Sequence, residues 1–283
     1  MKNATDVYML PNGIGIPCIG FGTWQTPEGD VAVNSVRQAI EAGYRHIDTA
    51  QAYGNEEGVG LGIRQSGVPR EELFITTKLW NDKHSYALAK SSFEESLSKL
   101  GLDYVDLFLI HWPNPLSVRS HWEQANAETW RAMEELYDEG KIRAIGVSNF
   151  CERHIDALLK TARIKPMVNQ IRLCPGETQD ALVEYSKSLG MVVEAYSPLG
   201  NGRIFEVPEM ISLSEKYNRS IAQICIRWSL QKGFLPLPKS VTPSRIADNL
   251  KVFDFNLTED DVRLISDLTG CVGLSGDPDT KPF

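Results

Sequence analysis

The sequence predicts an α/β fold: a (β/α)8, or TIM, barrel with an N-terminal β-hairpin and a C-terminal loop over the mouth. Three observations lead there. Short β-branched or apolar runs alternate with longer helical stretches. There are eight such runs, beginning near Cys18, His46, Leu73, Val105, Ala144, Met167, Met191 and Leu235, at a mean spacing of 31 residues. That spacing matches one βαβ crossover, about 30 residues. The helical stretches stop at glycine just before the next run, the expected joint between helix and strand.

Taken in order, Tyr8–Leu10 and Ile14–Ile16 flank Asn12-Gly13 and read as a hairpin. Helix is predicted over Glu28–Ala42, ending before Gly43, and over Ser85–Leu100, ending before Gly101. Gln124–Glu139 ends before Gly140, Gln179–Leu189 before Gly190, and Ser220–Lys232 before Gly233, with Ser220 as N-cap. Pro113–Gln124 is irregular and is expected to be a long loop over the mouth. No low-complexity linker divides the chain, so residues 1–283 are expected to form one barrel domain. The competing doubly wound sheet needs a G-x-G-x-x-G turn after a strand. The nearest run, Gly58-Val-Gly60-Leu-Gly62, lacks that pattern and lies in a helix-like stretch.

Composition excludes several classes. With 29 Lys+Arg against 37 Asp+Glu, the net charge of −8 argues against a broad nucleic-acid or anionic-membrane face. The five cysteines form no C-x-x-C pair and no His/Cys/Asp/Glu group has metal-ligand spacing, so no metal is expected. The opening MKNATDVYMLPNG has no apolar leader core, and no run is long enough to span a bilayer. Scattered thiols suit a reducing compartment, so a cytoplasmic protein is expected.

In a closed barrel the active site is built at the C-terminal ends of the strands. The second run ends in Asp48, followed by Tyr53; the third ends in Lys78; the fourth ends in His111. Each alone has an ordinary structural explanation, as a turn cap, a packed ring, a snorkelling lysine or a core histidine. Together they make a chemical unit. An ammonium lowers the pKa of a neighbouring phenol, and a buried ammonium needs a carboxylate. Tyr53 is then the expected general acid, and His111 a second donor that stabilises charge developing on a carbonyl oxygen. His46, His84, His121 and His154 are expected to be structural.

At these residues the sequence resembles the aldo-keto reductase family. The matching stretches are GFGTW, IDTAQAYGNE (47–56), ITTKLW (75–80), LIHWP (109–113), GVSNF (146–150), VNQI (168–171), AYSPLG (195–200) and LPKSVTPSRIADN (237–249). They run in family order over nearly the whole chain, most like the 2,5-diketo-gluconate reductase and prostaglandin F synthase-like branch. The resemblance implies a catalytic tetrad of Asp48, Tyr53, Lys78 and His111, acting on aldehydes and ketones with NADPH (NADP+) as cofactor. It implies that Ser148, Asn149 and Gln170 hold the nicotinamide carboxamide and that Tyr196 stacks on the ring. Gly22 and Thr23 would lie beside the cofactor, and Ser197, Pro198, Leu199 and Gly200 would wrap the pyrophosphate. Lys239, Ser240, Val241, Thr242 and Arg245 match the 2′-phosphate pocket, with Asn249 at the adenine edge. Barrels commonly bind phosphate at the eighth strand, and an arginine pairs with it in a planar fork. Trp24, Trp80 and Trp112 match substrate-pocket positions.

One departure stands out. Arg172-Leu-Cys174 follows VNQI where the family usually has an acid and then a histidine. Its expected reading is a surface change, with positive charge at the mouth as the other. The tail Cys271–Phe283 is expected to lie over the site. The expected partner is a small-molecule carbonyl substrate, with no nucleic acid, membrane or obligate protein partner implied. The alternative functional reading is an NADPH-binding regulatory or redox-sensing module of the same fold.

Overall fold

Fourteen glycines have positive φ, and five of them, Gly43, Gly101, Gly140, Gly190 and Gly233, sit where the sequence pattern ends a helix. In the computed structural model, which describes all 283 residues, a small antiparallel hairpin comes first: β1 (Val7–Met9) pairs with β2 (Gly15–Pro17). The hairpin turn is wider than an Asn-Gly dipeptide alone. Leu10 N–H donates to Ile14 O at 2.8 Å, leaving a three-residue loop with Gly13 at φ +83°, a conformation that favours glycine.

Eight parallel strands follow: β3 (Phe21–Gly22), β4 (His46–Asp48), β5 (Phe74–Leu79), β6 (Val105–Ile110), β7 (Ile142–Ser148), β8 (Val168–Arg172), β9 (Val192–Tyr196) and β10 (Leu235–Leu237). They pair in sequence order. Gly20 N–H donates to Pro236 O and Gly22 N–H to Pro238 O, both at 3.0 Å, which joins the last strand to the first. The first run, expected from Cys18, contributes only two residues to the sheet because Cys18 N–H is taken by Asp6 O of the N-terminal segment.

The helices outside the barrel are α1 (Asp30–Ala42), α2 (Glu56–Gln65), α3 (Tyr86–Leu100), α4 (Trp122–Asp138), α5 (Glu152–Leu159), α6 (Asp180–Ser188), α7 (Pro208–Tyr217), α8 (Ile221–Gln231), α9 (Pro243–Asp248) and α10 (Glu259–Ser266). Ser220 caps α8 through its side chain, as its position predicts, and Ser85, expected inside the helix, instead caps α3. The Gly58–Gly62 run is helix α2, not a phosphate loop. A Cβ on Gly60 would stand 2.0 Å from Leu100 O, so this glycine permits close crossing of α2 and the end of α3.

The hairpin closes the bottom of the barrel. Leu10 and Ile16 pack against Phe74, Leu107, Met167 and Leu235. Burying each of those two side chains stabilises the fold by about 1.5–3 kcal/mol. With the bottom plugged, polar strand residues gather at the opposite, C-terminal mouth. There the tail and the β6–α4 loop meet: Asn114 donates to Asp279, Arg119 to Lys281 O and Leu116 N–H to Phe283 O.

Candidate active site

Strand register places the four predicted residues at one point. Asp48 ends β4, Lys78 stands near the end of β5, His111 follows β6, and Tyr53 closes a single 3-10 turn after β4. Lys78 Nζ donates to both oxygens of Asp48, at 2.7 and 2.8 Å, to Thr49 O at 2.8 Å and to the Tyr53 hydroxyl at 3.2 Å. The His111 and Tyr53 rings meet edge to face, 5.8 Å between centroids. Lys78 is completely enclosed.

The electrostatics differ in one respect from the sequence expectation. The Lys78 ammonium does pull the Tyr53 phenol down, but burial outweighs it and holds the phenol above its ordinary value. Tyr53 therefore keeps its proton at neutral pH. Burial alone would push Lys78 down; Asp48 and Tyr53 together hold it above its usual range. Burial, aided by Lys78, keeps His111 far below an ordinary histidine, so the ring is neutral. Its Nδ1 is buried without a partner. A bare N–H there costs more than a bare lone pair. The proton therefore belongs on Nε2, the nitrogen left to face the cleft.

Asp48, Tyr53 and His111, with Lys78 enclosed behind them, open on a cleft of about 980 Å³ running from Trp80, Trp112 and Phe283 to Ser197–Gly200 and Lys239. Gly22, Trp24, Ser148, Asn149, Gln170 and Tyr196 also line it. Ser148 donates to Gln170 O at 2.8 Å and accepts from Asn149 Nδ2 at 3.1 Å. Asn149 Nδ2 also donates to His111 O, and Asn149 Oδ1 accepts from Tyr196 OH at 2.8 Å. Gln170 Nε2 donates to Asp48 Oδ2 at 2.9 Å and Glu194 Oε2 at 2.7 Å, while its Oε1 takes no hydrogen bond within the chain. Thr23 turns away from the cleft: it is fully buried and its hydroxyl is spent on Asp48 O. Ser240, Val241, Thr242 and Arg245 lie beyond the cleft lining around the start of α9, and Asn249 follows its last residue. Arg245 is exposed and has no acidic partner, and Lys239 Nζ donates to Gln25 O at 3.0 Å.

Three residues at the mouth escaped the sequence reading or were misread. Arg172 is not a surface change. It is buried at the end of β8, paired with Glu177 and donating to Gly273 O, while Glu177 Oε1 accepts from Ser275 N–H at 2.7 Å. Its charge is spent on binding the tail, because a buried guanidinium must be paired. Phe283 stacks on Trp80 (6.0 Å, 30°) and meets Trp112 edge-on (5.1 Å). Glu194 is buried beneath Gln170; a charged residue inside the apolar run MVVEAY was the available signal.

A parallel barrel with an enclosed Lys–Asp pair against a tyrosine at its mouth presents a proton donor backed by a cation, an arrangement suited to acid–base chemistry on a polar group. Comparison with known proteins makes this specific. The model of the Aldo/keto reductase family matches residues 18–269. The chain is 46% identical over 278 residues to the glyoxal reductase of Bacillus subtilis, covering 98% of each protein. It is 43% identical over 281 residues to the methylglyoxal reductase DkgA of Escherichia coli, covering 99% of this chain and 98% of the relative. An aldo-keto reductase of Bombyx mori solved in complex with NADP superposes with a TM-score of 0.84 at 40% identity, covering 93% of this chain and 92% of that one. The chain belongs to the aldo/keto reductase family, and it is an enzyme of NADPH-dependent carbonyl reduction.

Proposed function

We propose that the cleft reduces aldehydes and ketones to alcohols, with Tyr53 as the proton donor. The observation that carries this reading is the 3.2 Å contact from Lys78 Nζ to the Tyr53 hydroxyl, with the same ammonium clamped on Asp48. When bound, NADPH supplies the hydride. The substrate carbonyl oxygen sits between the Tyr53 hydroxyl and His111 Nε2–H. Both donors are neutral, so the developing negative charge meets two preorganised dipoles. As charge grows on that oxygen, Tyr53 transfers its proton to it. Lys78 stabilises the phenolate left behind, and Asp48 keeps the ammonium in place.

The cleft chemistry suits the cofactor. Gln170 Oε1 stands unpaired in the lining, the Tyr196 ring forms a wall, and Lys239 and Arg245 supply cations where β10 ends. In this reading Ser148, Asn149 and Gln170 meet the carboxamide, Ser197–Gly200 the pyrophosphate, and Lys239, Ser240, Val241, Thr242 and Arg245 the 2′-phosphate. Asn249 meets the adenine. Trp24, Trp80 and Trp112 contact the substrate. Residues 1–283 act as one catalytic unit on a small-molecule carbonyl compound, without a nucleic-acid, membrane or obligate protein partner. The cytosol suits the five unpaired cysteines. The glyoxal and methylglyoxal named for the two bacterial relatives are the first substrates to try.

Titration with NADPH and NADH, followed by tryptophan fluorescence, tests the cofactor half of this reading. NADPH binds more tightly than NADH, and Arg245→Leu narrows the gap by about tenfold, the order of one charge-assisted hydrogen bond. Equal affinity for the two cofactors contradicts the 2′-phosphate assignment. An aldehyde panel with NADPH oxidation followed by absorbance tests the other half. Tight binding without turnover favours a regulatory module.

A further inference from the structure

Glu194 lies on β9 in register with Gln170 of β8, completely enclosed, and takes no part in the steps above. Its Oε2 accepts from Gln170 Nε2 at 2.7 Å, and the same nitrogen donates to Asp48 Oδ2 at 2.9 Å. Glu194 Oε1 has no hydrogen-bond partner. The nearest titratable nitrogen is His46 Nε2 at 3.8 Å, and that ring is already bonded to Thr76 Oγ1 at 3.0 Å. With His46 held neutral, Glu194 has no cation within ion-pair distance; its one hydrogen bond within the chain is to the amide of Gln170.

A primary amide carries two N–H donors and one acceptor oxygen. Both donors of Gln170 are committed to carboxyl oxygens on different strands. The amide therefore has one orientation. Turned over, its oxygen would confront the Asp48 carboxylate; with a single anchor, it would pivot about the bond to Asp48. Held at two points, it leaves Oε1 as a fixed acceptor. Among Ser148, Asn149 and Gln170, this is the one side-chain oxygen that accepts nothing within the chain.

We propose that Glu194 is a positioning residue for cofactor recognition: by taking the second N–H of Gln170, it fixes Gln170 Oε1 as the acceptor for a carboxamide N–H of the nicotinamide. The inference rests on the assignment of Gln170 to the carboxamide. Burial, reinforced by Asp48, raises the Glu194 carboxyl to about 8, so at neutral pH it serves as a neutral acceptor beside Asp48. A glutamine can replace it in that role, and an apolar side chain cannot.

The test compares two ligands, NADPH and its reduced 3-acetylpyridine analogue, whose acetyl group lacks the carboxamide N–H. Tryptophan fluorescence gives both Kd values for each variant. The wild-type protein favours NADPH by about tenfold, the worth of one hydrogen bond. Glu194→Met brings that preference close to unity, and Glu194→Gln keeps it. Glu194→Leu repeats the first arm if the methionine variant does not fold. A methionine or leucine variant that retains the wild-type preference overturns the proposal, even if both affinities fall together, because uniform loss marks a merely structural role. Gln170→Leu separates the two failures. If it abolishes the preference while Glu194→Met does not, Glu194 is no positioning residue. If it leaves the preference intact, the Gln170 assignment itself is wrong and the inference falls with it.

Discussion

Lys78 is completely enclosed and Asp48 almost so, yet the ammonium of one meets both carboxylate oxygens of the other within 2.8 Å. Two charges out of water are tolerable only as a pair; removing one partner of such a pair costs about 3–5 kcal/mol. Lys78→Met therefore lowers the stability of the apoprotein by about that much, read as a fall in the urea midpoint at unchanged slope. It also removes the support for the Tyr53 phenolate, and kcat falls at least 100-fold. Unchanged stability with kcat alone reduced would show that Asp48 finds another partner.

Phe283 lines the Trp80–Trp112 end of the cleft and stacks on Trp80. Aromatic pairs of this kind are worth about 0.5–1.5 kcal/mol beyond the area they bury. Phe283→Ala raises KM for an aromatic aldehyde by roughly 3–10-fold and leaves kcat nearly unchanged, because the tetrad is untouched. Steady-state kinetics on benzaldehyde and on a two-carbon aldehyde check this: the smaller substrate should show the smaller effect.

The Arg172–Glu177 pair fastens the tail through Gly273 and Ser275. Arg172→Ala leaves the Glu177 carboxylate buried without its cation and frees the tail from the end of β8. Limited proteolysis should then cut within residues 271–283 at least tenfold faster than in the wild type. Equal cleavage rates would mean that the anchors of Asp279, from Asn114, Arg153 and His154, hold the tail on their own.

Glu194 gives a dependence of stability on pH. Its folded pKa of about 8 lies above the ordinary carboxyl value, through burial and then Asp48. Between those two values the folded chain holds a proton that the unfolded chain has released. Stability contributed by this group is therefore intact below about pH 4.5 and declines as pH rises toward 8. Lys78 is the one cation facing it, and His46 beside it is held neutral, down to about 3, by burial and then by Lys78. Glu194→Gln should thus stabilise the protein at pH 8.5 by more than about 1 kcal/mol relative to its effect at pH 5, measured by denaturant unfolding at each pH.

Much of this was legible in the sequence, for identifiable reasons. Strand ends carry the chemistry of a barrel, so Asp48, Lys78 and His111 stood out against the apolar runs they close. Glycines after helical stretches fixed the joints, and Ser220 announced the start of its helix. Pairing across the mouth was not legible. Arg172 reads as a surface residue until the tail, 101 positions later, is seen to lie against it. Glu194 reads as an oddity in an apolar strand until register sets it beside Gln170. The balance at Tyr53 was equally hidden: the ammonium was visible in sequence, but the burial that overrides it depends on how the whole mouth closes.

The role of Tyr53 is tested most directly by kcat for aldehyde reduction by wild-type protein and Tyr53→Phe, with NADPH affinity measured on the same samples. The variant should show a fall in kcat of at least about 1,000-fold with an NADPH Kd within about threefold of wild type, since general-acid catalysis contributes about 10²–10⁴-fold and one oriented donor is also lost. The wild-type rate should also fall at alkaline pH as Tyr53 ionises, and any residual activity of the variant should lack this limb. A Tyr53→Phe protein that turns over at near-normal rate, with the alkaline limb intact, would contradict the assignment of Tyr53 as the proton donor.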